Sequence, residues 1–276
     1  MDRRDRPAND RVAHVDLAGV VAAPRRVEGT ERALIHPLAD LCAAPRGPRD
    51  AQLLFGDVFL ELERRDQWSF GRSARDGYVG YVRSEALGPV RPASHWVKAR
   101  QTHVYDAADM KSTDRHALPF GAKLSGVETD TGFLTMADDA HVPLQHLNTI
   151  SDLPSDPAAV AETLLGTPYL WGGNSVFGID CSGLVQTAFL ACGLRCKRDS
   201  DQQRETLGRS LPLDDSAPLR RGDLICWDGH IGMMLDAETL IHASAHHMAV
   251  AVEPLAQAEE RVMATGFGPI IARKRL

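Results

Sequence analysis

Cys181 has the sequence context of a nucleophilic thiol. It follows Asp180 and begins the segment Cys181-Ser-Gly-Leu-Val-Gln-Thr-Ala-Phe-Leu-Ala-Cys-Gly, in which apolar residues recur at helical spacing. Asp180 is suited to cap the start of this helix and Gly193 its end. Unpaired N–H groups in a first helical turn lower the pKa of a thiol, so we expect Cys181 to be the reactive cysteine. A buried or incidental thiol is expected at Cys42, Cys192, Cys196 and Cys226.

Two histidines downstream are suited to act with this thiol. Attack on an amide requires a base that takes the thiol proton and returns it to the leaving amine, and imidazole does this near neutral pH. His230 opens a predicted strand, and His242 lies in the next one. A hairpin centred on Asp236 would place the two directly opposite each other, with Cβ atoms about 4.5 to 5.5 Å apart. His242 would then orient His230, as the third member of a triad does.

Metal binding is the competing interpretation of this histidine-rich region. His242, His246 and His247 lie close in sequence, and Cys192 and Cys196 have a C-x3-C spacing. That spacing is poor for a structural zinc site, and the histidines fall on a strand and a turn. We therefore predict no metal and no other cofactor.

The elements that must position these residues form an α+β domain over residues 156–276. Asp156-Pro-Ala-Ala-Val predicts an N-capped helix that runs to about Leu165. Helices precede strands in this predicted order. The later apolar runs indicate an antiparallel meander, at Leu224-Ile-Cys-Trp, His230-Ile-Gly-Met-Met-Leu, Leu240-Ile-His-Ala-Ser and Met248-Ala-Val-Ala-Val. Residues 256–276 are expected only to complete this sheet.

The chain before residue 156 indicates small β domains. Residues 1–30 are rich in Arg, Asp and Pro and predict an extended arm lying on a neighbouring domain. Short alternating runs then indicate one small barrel or sandwich over 31–90 and a second over 91–152. Proline-containing linkers follow Gly88 and Ser151.

Composition limits the classes of partner. The chain has 31 Lys and Arg against 37 Asp and Glu, a formal net charge of -6, which favours neither nucleic acid nor an anionic membrane. Five irregularly spaced cysteines favour reduced thiols.

The mild apolar stretch from Val12 to Ala23 is interrupted by His14 and Asp16, so we predict a soluble, cytoplasmic protein without a signal peptide. The sequence does not specify an oligomeric state.

Six short motifs follow one another in the C-terminal region: Pro168-Tyr-Leu-Trp-Gly-Gly, Asp180-Cys-Ser-Gly-Leu-Val-Gln, Arg198-Asp-Ser-Asp-Gln-Gln, Arg221-Gly-Asp-Leu, His230-Ile-Gly-Met and Leu240-Ile-His-Ala. In this order they resemble the NlpC-type cell-wall cysteine peptidases of the papain-like clan, and the resemblance covers roughly residues 157–255. It implies a papain-like catalytic domain, with Cys181, His230 and His242 as the triad.

The upstream β regions resemble the bacterial SH3-like domains that precede this catalytic domain in one subgroup of the family. The strongest part is Leu54-Phe-Gly-Asp with Trp68 and Asp76-Gly-Tyr-Val-Gly-Tyr-Val. The subgroup resembles γ-D-glutamyl-L-diamino acid endopeptidases, thiol proteases that cut peptidoglycan (murein) peptides with a free N-terminal L-Ala. The resemblance therefore implies hydrolysis before diaminopimelate or Lys, in murein peptide recycling.

The same resemblance assigns residues to the substrate site. The free amine is held by Asp57, Tyr78 and Asp180, with Tyr81 as the alternative to Tyr78; the family more often has Glu at the position of Asp57. Tyr169 is expected to donate to the oxyanion together with the backbone N–H of Cys181. The rest of the cleft is lined by Tyr169, Trp171, Ser182, Asp199 and Ser200. The last two could instead only cap the following helix.

Two other functions are compatible with this sequence. One is a binding protein that recognises wall peptides through its SH3-like domains and keeps a vestigial catalytic domain. The other is an acyl or amide transferase, which uses the same nucleophile and differs in what resolves the acyl-enzyme. Loss of Cys181, His230 or His242 would favour the first, and all three are present.

Overall fold

The computed structural model describes residues 1–214, 216–266 and 268–276. The chain divides into two compact units, Met1–Asp152 and Leu153–Leu276. Each unit has its own hydrophobic core, so each is described by itself.

The N-terminal segment pairs with itself and packs onto the β-strands of unit 1. Strands β1 (Val12–His14) and β2 (Arg25–Val27) run parallel. Val12 is fully buried and joins a cluster with Leu62, Phe70 and Val79. The expected arm thus contributes apolar side chains to a core, which its scattered hydrophobic residues did not indicate.

The next seven strands form one antiparallel sheet in the order β5-β4-β8-β7-β6-β3-β9. Their core includes Leu34, Leu53 and Phe59. Consecutive residues are buried in several of these strands, for example residues 51–54, so both faces of the sheet are covered. The strands are β3 (Thr30–Leu34), β4 (Leu38–Cys42), β5 (Arg49–Leu54), β6 (Val58–Arg65), β7 (Trp68–Ser73), β8 (Val79–Arg83) and β9 (Leu87–Gly88).

The rest of unit 1 forms a second group of strands with a separate core that includes Val97, Leu118 and Leu134. A three-stranded sheet has the order β13-β10-β17, and a five-stranded sheet the order β12-β11-β16-β15-β14. That this group is a second SH3-like barrel stays a prediction. The strands are β10 (His95–Val97), β11 (Gln101–Tyr105), β12 (Asp114–Pro119), β13 (Lys123–Leu124), β14 (Gly126–Glu128), β15 (Phe133–Met136), β16 (His141–Pro143) and β17 (Leu147–Thr149).

Unit 2 packs helices against a six-stranded antiparallel sheet of order β20-β25-β21-β22-β23-β24. The predicted meander is confirmed as four consecutive strands, and the C-terminal strand completes the sheet between β20 and β21. The sheet strands are β20 (Arg209–Leu211), β21 (Leu224–Trp227), β22 (His230–Met234), β23 (Thr239–Ser244), β24 (Ala249–Pro254) and β25 (Ala272–Arg275). Strands β18 (Asn174–Ser175) and β19 (Gly178–Ile179) form a small hairpin.

The helices of unit 2 are α1 (Pro157–Thr163), α2 (Cys181–Ala191), α3 (Ser200–Thr206) and α4 (Leu255–Ala264). The Asp156 side chain caps α1 as expected, although the helix ends at Thr163, two residues earlier than predicted. Residues 256–276 were expected only to complete the sheet, and this is wrong in part, because α4 occupies most of the segment before β25 joins the sheet. No helix among the described residues is long and apolar enough to cross a membrane.

Candidate active site

Cys181 begins helix α2 at the place expected from the sequence. Oδ1 of Asp180 accepts a hydrogen bond of 2.7 Å from the backbone N–H of Gly183, which caps the helix. A side chain at position 183 would meet an obstacle, since its Cβ would lie 2.3 Å from the carbonyl oxygen of Gly173. Helix α2 packs against β22 and β23, and this packing leaves Cys181 only 6% exposed.

The surroundings of the Cys181 thiol change its acidity in the direction opposite to our expectation. Burial, followed by the neighbouring Asp180 carboxylate, raises the pKa of Cys181 to about 12. The backbone N–H of Ile231 favours the thiolate, but its effect is smaller. Desolvation of a buried charge therefore outweighs the helix terminus, so the thiol is neutral and would need a base to act as a nucleophile.

His230 and His242 meet although they are not directly opposed in the hairpin. Their atoms Nε2 (His230) and Nδ1 (His242) lie 2.8 Å apart. Strands β22 and β23 pair Met233 with Ile241 and Met234 with Leu240. Continued, this register places position 232 opposite His242, so the predicted direct pairing of the two histidines is wrong by two residues. The rings meet diagonally, which long and aromatic side chains allow.

The turn explains this difference of register. The backbone N–H of Leu235 donates to the carbonyl oxygen of Thr239, and Oδ1 of Asp236 accepts from the backbone N–H of Glu238 and of Thr239. The Asp236 side chain thus lies at the start of the turn rather than at its centre, which moves the pairing of the following strand.

Glu253 and Arg261 extend this hydrogen-bonded chain, and sequence reasoning missed both. Nε2 of His242 lies 2.7 Å from Oε1 of Glu253. Nη1 of Arg261 donates to Oε2 of Glu253 over 2.6 Å, and Nη2 donates to Oε1. Glu253 is 8% exposed. The available signal was an acidic residue inside the alternating apolar strand Ala249-Val-Ala-Val-Glu, because a buried carboxylate requires partners.

Both imidazoles are held in the neutral form. Burial, and then the neighbouring His242 and Arg261, lower the pKa of His230 to about 3. Burial likewise lowers the pKa of His242 to about 4, against the opposing effect of Glu253. His230 is therefore unprotonated at neutral pH and is available to accept the thiol proton.

A buried ion pair stabilises the loop before α2. Nη1 and Nη2 of Arg198 donate to the two carboxylate oxygens of Asp180 over 3.0 and 2.8 Å. Arg198 also donates to Oγ of Ser182 over 2.8 Å, and it is only 1% exposed. The N–H of Gly172 completes the contacts of Asp180 at 2.8 Å. Arg198 begins one of the six family motifs, but its ion pair with Asp180 was not predicted because the two residues lie 18 positions apart in the sequence.

The remaining predicted cleft residues lie in the loop before α2 or at the start of α3. Trp171 is 71% exposed, whereas Tyr169 is half-buried. Burial, and then the nearby Cys181 and Asp180, raise the pKa of the Tyr169 hydroxyl, which keeps it a hydrogen-bond donor. Asp199 stands at the N-cap position of α3, which begins at Ser200, but its side chain makes no capping hydrogen bond.

In unit 1, the two residues assigned to the substrate amine are buried. Asp57 is 1% exposed, and its carboxylate accepts hydrogen bonds from Arg75 over 3.0 Å and from Lys123 over 3.4 Å. Burial raises the pKa of Asp57, but these two cations hold it below its usual value. Tyr78 is 4% exposed. Tyr81, the alternative tyrosine, lines a cavity of about 310 Å³ together with Glu63 and other residues.

The described residues contain a group with the composition of a metal site. Potential ligand atoms of His242, His247 and Glu253 lie within 4.8 Å of one another. Two of them, on His242 and Glu253, are already hydrogen-bonded to each other, and Arg261 neutralises the carboxylate. We therefore interpret the group as part of the hydrogen-bonded chain, and the absence of a cofactor stays a prediction.

A cysteine at a helix N-terminus, packed on an antiparallel sheet that carries its histidine, defines a papain-like thiol hydrolase site. Comparison with known proteins supports this class. Residues 166–264 match the NlpC/P60 family, and residues 41–87 match the bacterial dipeptidyl-peptidase Sh3 domain. Unit 2 therefore belongs to the NlpC/P60 family, and the protein is a cysteine peptidase that carries a bacterial SH3 domain.

Relatives are similar over most of the chain. A γ-D-glutamyl-L-lysine dipeptidyl-peptidase of Bacillus subtilis is 29% identical over 218 residues, 70% of this chain and 71% of that protein. Dipeptidyl-peptidase 6 of Lysinibacillus sphaericus is 27% identical over 220 residues, 70% of this chain and 79% of that protein. An NlpC/P60 family protein from Bacillus cereus has the same fold, with a TM-score of 0.74 at 18% identity over 89% of this chain and 99% of that one.

Proposed function

We propose that this protein hydrolyses the amide bond between γ-D-Glu and the diamino acid, diaminopimelate or Lys, of murein peptides with a free N-terminal L-Ala. The observation that carries the proposal is the chain of hydrogen bonds from His230 to His242 and Glu253, next to a cysteine at a helix start. The names of the two dipeptidyl-peptidase relatives support the substrate class. We place the reaction in cytoplasmic recycling of wall peptides.

The residues of unit 2 account for the acylation half of the reaction. His230 takes the proton of the Cys181 thiol as sulfur attacks the γ-carbonyl carbon of D-Glu. The Cys181 backbone N–H and the Tyr169 hydroxyl donate to the oxyanion. His230 then returns the proton to the diamino acid nitrogen, so the C–N bond breaks and a γ-glutamyl thioester remains on Cys181.

Deacylation uses the same groups in reverse order. His230 takes a proton from a water molecule that attacks the thioester carbonyl, and it then protonates the departing sulfur. The products are L-Ala-D-Glu and the diamino acid portion of the peptide. A vestigial, purely binding function is disfavoured because the complete catalytic set is retained in an ordered hydrogen-bonded arrangement.

Several residues near the nucleophile are proposed to contact the substrate. The exposed Trp171 ring offers an apolar face beside the nucleophile's loop, and Ser182, Asp199 and Ser200 offer polar atoms near the start of α2 or of α3. Asp180 is already bound by Arg198 and two backbone N–H groups, so we expect it to act on the substrate amine mainly through its charge.

For the amine site in unit 1, Asp57 and Tyr78 stay predictions. An ammonium group at Asp57 would have to compete with Arg75 and Lys123. Tyr81 and Glu63, which line a common cavity, form a more accessible pair of acceptors, although Arg11 holds Glu63 at 2.9 Å. An acceptor set is needed because a buried ammonium without partners is costly.

The reaction is tested with L-Ala-γ-D-Glu-diaminopimelate, the corresponding Lys peptide and their N-acetylated forms, with products identified by mass spectrometry. We expect release of L-Ala-D-Glu from the free peptides, and kcat/KM at least about a hundredfold lower for the acetylated ones, because lost charge-assisted hydrogen bonds cost several kcal/mol. Cys181→Ala is the inactive control and Cys192→Ala the active one. Cleavage at another bond, or no cleavage, would contradict the proposal.

The amine site is tested by comparing Tyr78→Phe with Tyr81→Phe. Each change removes one hydroxyl and keeps the ring. Loss of the hydroxyl that contacts the amine should lower kcat/KM for the free peptide about tenfold and leave kcat/KM for the acetylated peptide unchanged. If both variants keep the wild-type preference for a free amine, neither tyrosine binds it.

A further inference from the structure

We propose that Glu253, held by Arg261, is a positioning residue of the active site. It fixes the tautomers of His242 and His230, so that Nδ1 of His230 is the nitrogen left to accept the thiol proton. The inference rests on the proposed peptidase function, and it extends the catalytic arrangement by two residues that do not contact the substrate.

The tautomers follow from the order of donors and acceptors. An ionised carboxylate only accepts hydrogen bonds, so Nε2 of His242, 2.7 Å from Oε1 of Glu253, must carry a proton. In neutral His242, Nδ1 is then an acceptor, so Nε2 of His230, 2.8 Å away, must be the donor. Neutral His230 is therefore unprotonated at Nδ1, and this nitrogen is its base.

Arg261 keeps Glu253 ionised and in place. The guanidinium contacts both carboxylate oxygens, which leaves Oε1 oriented toward His242. Burial raises the pKa of Glu253, but Arg261 and His242 hold it below its usual value. The fold supplies the geometry, because β24 pairs Ala251 with His242, and Glu253 lies two residues further on the same face.

Glu253 and Arg261 have opposite electrostatic effects on both histidines. Glu253 stabilises the imidazolium forms and Arg261 destabilises them. The other groups that face the pair are Cys181 on α2, the Trp227 ring 5.4 Å from the ring of His230, and His247, whose ring lies 6.2 Å from that of His242. Loss of Glu253 should therefore lower the pKa values of the histidines, and loss of Arg261 should raise them.

The test compares Glu253→Gln, Arg261→Met and the control Glu260→Gln in pH profiles of kcat/KM. Glu260 is exposed on α4, so its change removes the same charge without contacting His242. We expect Glu253→Gln to lower kcat at least about tenfold at unchanged KM, because a mispositioned base loses most of its effect. The acid limb should move to lower pH in Glu253→Gln and to higher pH in Arg261→Met, and it should stay unchanged in the control.

The tautomers themselves are measured by long-range ¹H–¹⁵N NMR on ¹⁵N-histidine-labelled protein, which requires no substrate. We expect His230 and His242 of the wild type to be protonated at Nε2, and Glu253→Gln to populate the Nδ1-protonated form of His242. A wild-type His242 protonated at Nδ1, or unchanged tautomers and an unchanged acid limb in Glu253→Gln, would overturn the inference. Inactivity of the wild type on every peptide would refute the proposed function and leave the NMR result decisive for the tautomers.

Discussion

The imidazole nitrogens Nε2 of His230 and Nδ1 of His242 lie 2.8 Å apart because the residue across from His242 is a glycine. A Cβ at Gly232 would lie 3.1 Å from Cβ of His242 and 2.8 Å from Cδ1 of Leu240. The absence of a side chain there leaves room for His242 and Leu240 of the neighbouring strand, and His230 lies two residues earlier on the same face of β22. The catalytic hydrogen bond thus depends on a position that carries no functional group.

Gly232→Ala is therefore expected to lower kcat although it removes no catalytic group. The added methyl group must displace Leu240 or the ring of His242, which costs about 1 to 3 kcal/mol as overpacking. We expect kcat to fall about tenfold or more, measured with the free tripeptide, and the free energy of unfolding to fall by the overpacking cost. In Gly80→Ala, whose Cβ would lie 2.8 Å from the Cys42 carbonyl oxygen in unit 1, only stability should fall. Wild-type kcat in Gly232→Ala would show that the ring contact does not depend on this glycine.

Substitutions of the two histidines should differ in severity. His230→Ala removes the base and is expected to lower kcat by about three orders of magnitude or more. His242→Gln keeps an amide oxygen that can accept from Nε2 of His230, so we expect a loss of only about 10- to 100-fold. His246→Gln, an exposed neighbour, is the control and should be fully active. Equal inactivity of His242→Gln and His230→Ala would assign His242 a direct chemical role instead of an orienting one.

Alkylation of Cys181 should report a neutral thiol in the free enzyme. The pKa of Cys181 is raised to about 12, and that of His230 is lowered to about 3, so at pH 7 both groups are uncharged. The iodoacetamide rate at Cys181, followed by peptide mass spectrometry, should be low near pH 7 and still rise above pH 9 as thiolate forms. Cys192, with a pKa raised to about 11, serves as the internal comparison. A fast, pH-independent rate between pH 5 and 8 would indicate a preformed thiolate–imidazolium pair.

Removal of Arg198 should destabilise unit 2. Arg198→Met leaves the buried Asp180 without the cation that contacts both of its oxygens, and breaking such a pair costs about 3 to 5 kcal/mol. Chemical denaturation measures the loss, and the exposed Arg195→Met is the matched control. The double variant Arg198→Met/Asp180→Asn should recover part of the loss, since no unpaired charge remains. A loss below about 1 kcal/mol in Arg198→Met would show that solvent replaces the guanidinium.

The sequence by itself determined the local features of the active site. Asp180 and Gly193 delimit helix α2 as predicted, because capping depends on residues three or four positions apart. The meander from Leu224 onward followed from the alternation of apolar runs and turn residues. The identities of Cys181, His230 and His242 as candidates rested on this same local information and on the family motifs.

Only the tertiary structure decided the contacts of these groups and their acidity. The register of β22 on β23 depends on hydrogen bonds within the turn, so the diagonal contact of the histidines could not be read from their spacing. The partners Glu253 with Arg261 and Asp180 with Arg198 come from different elements, and burial determines the acidity of Cys181. Desolvation depends on what packs around a group in three dimensions, and a helix start in the sequence carries no information about that packing.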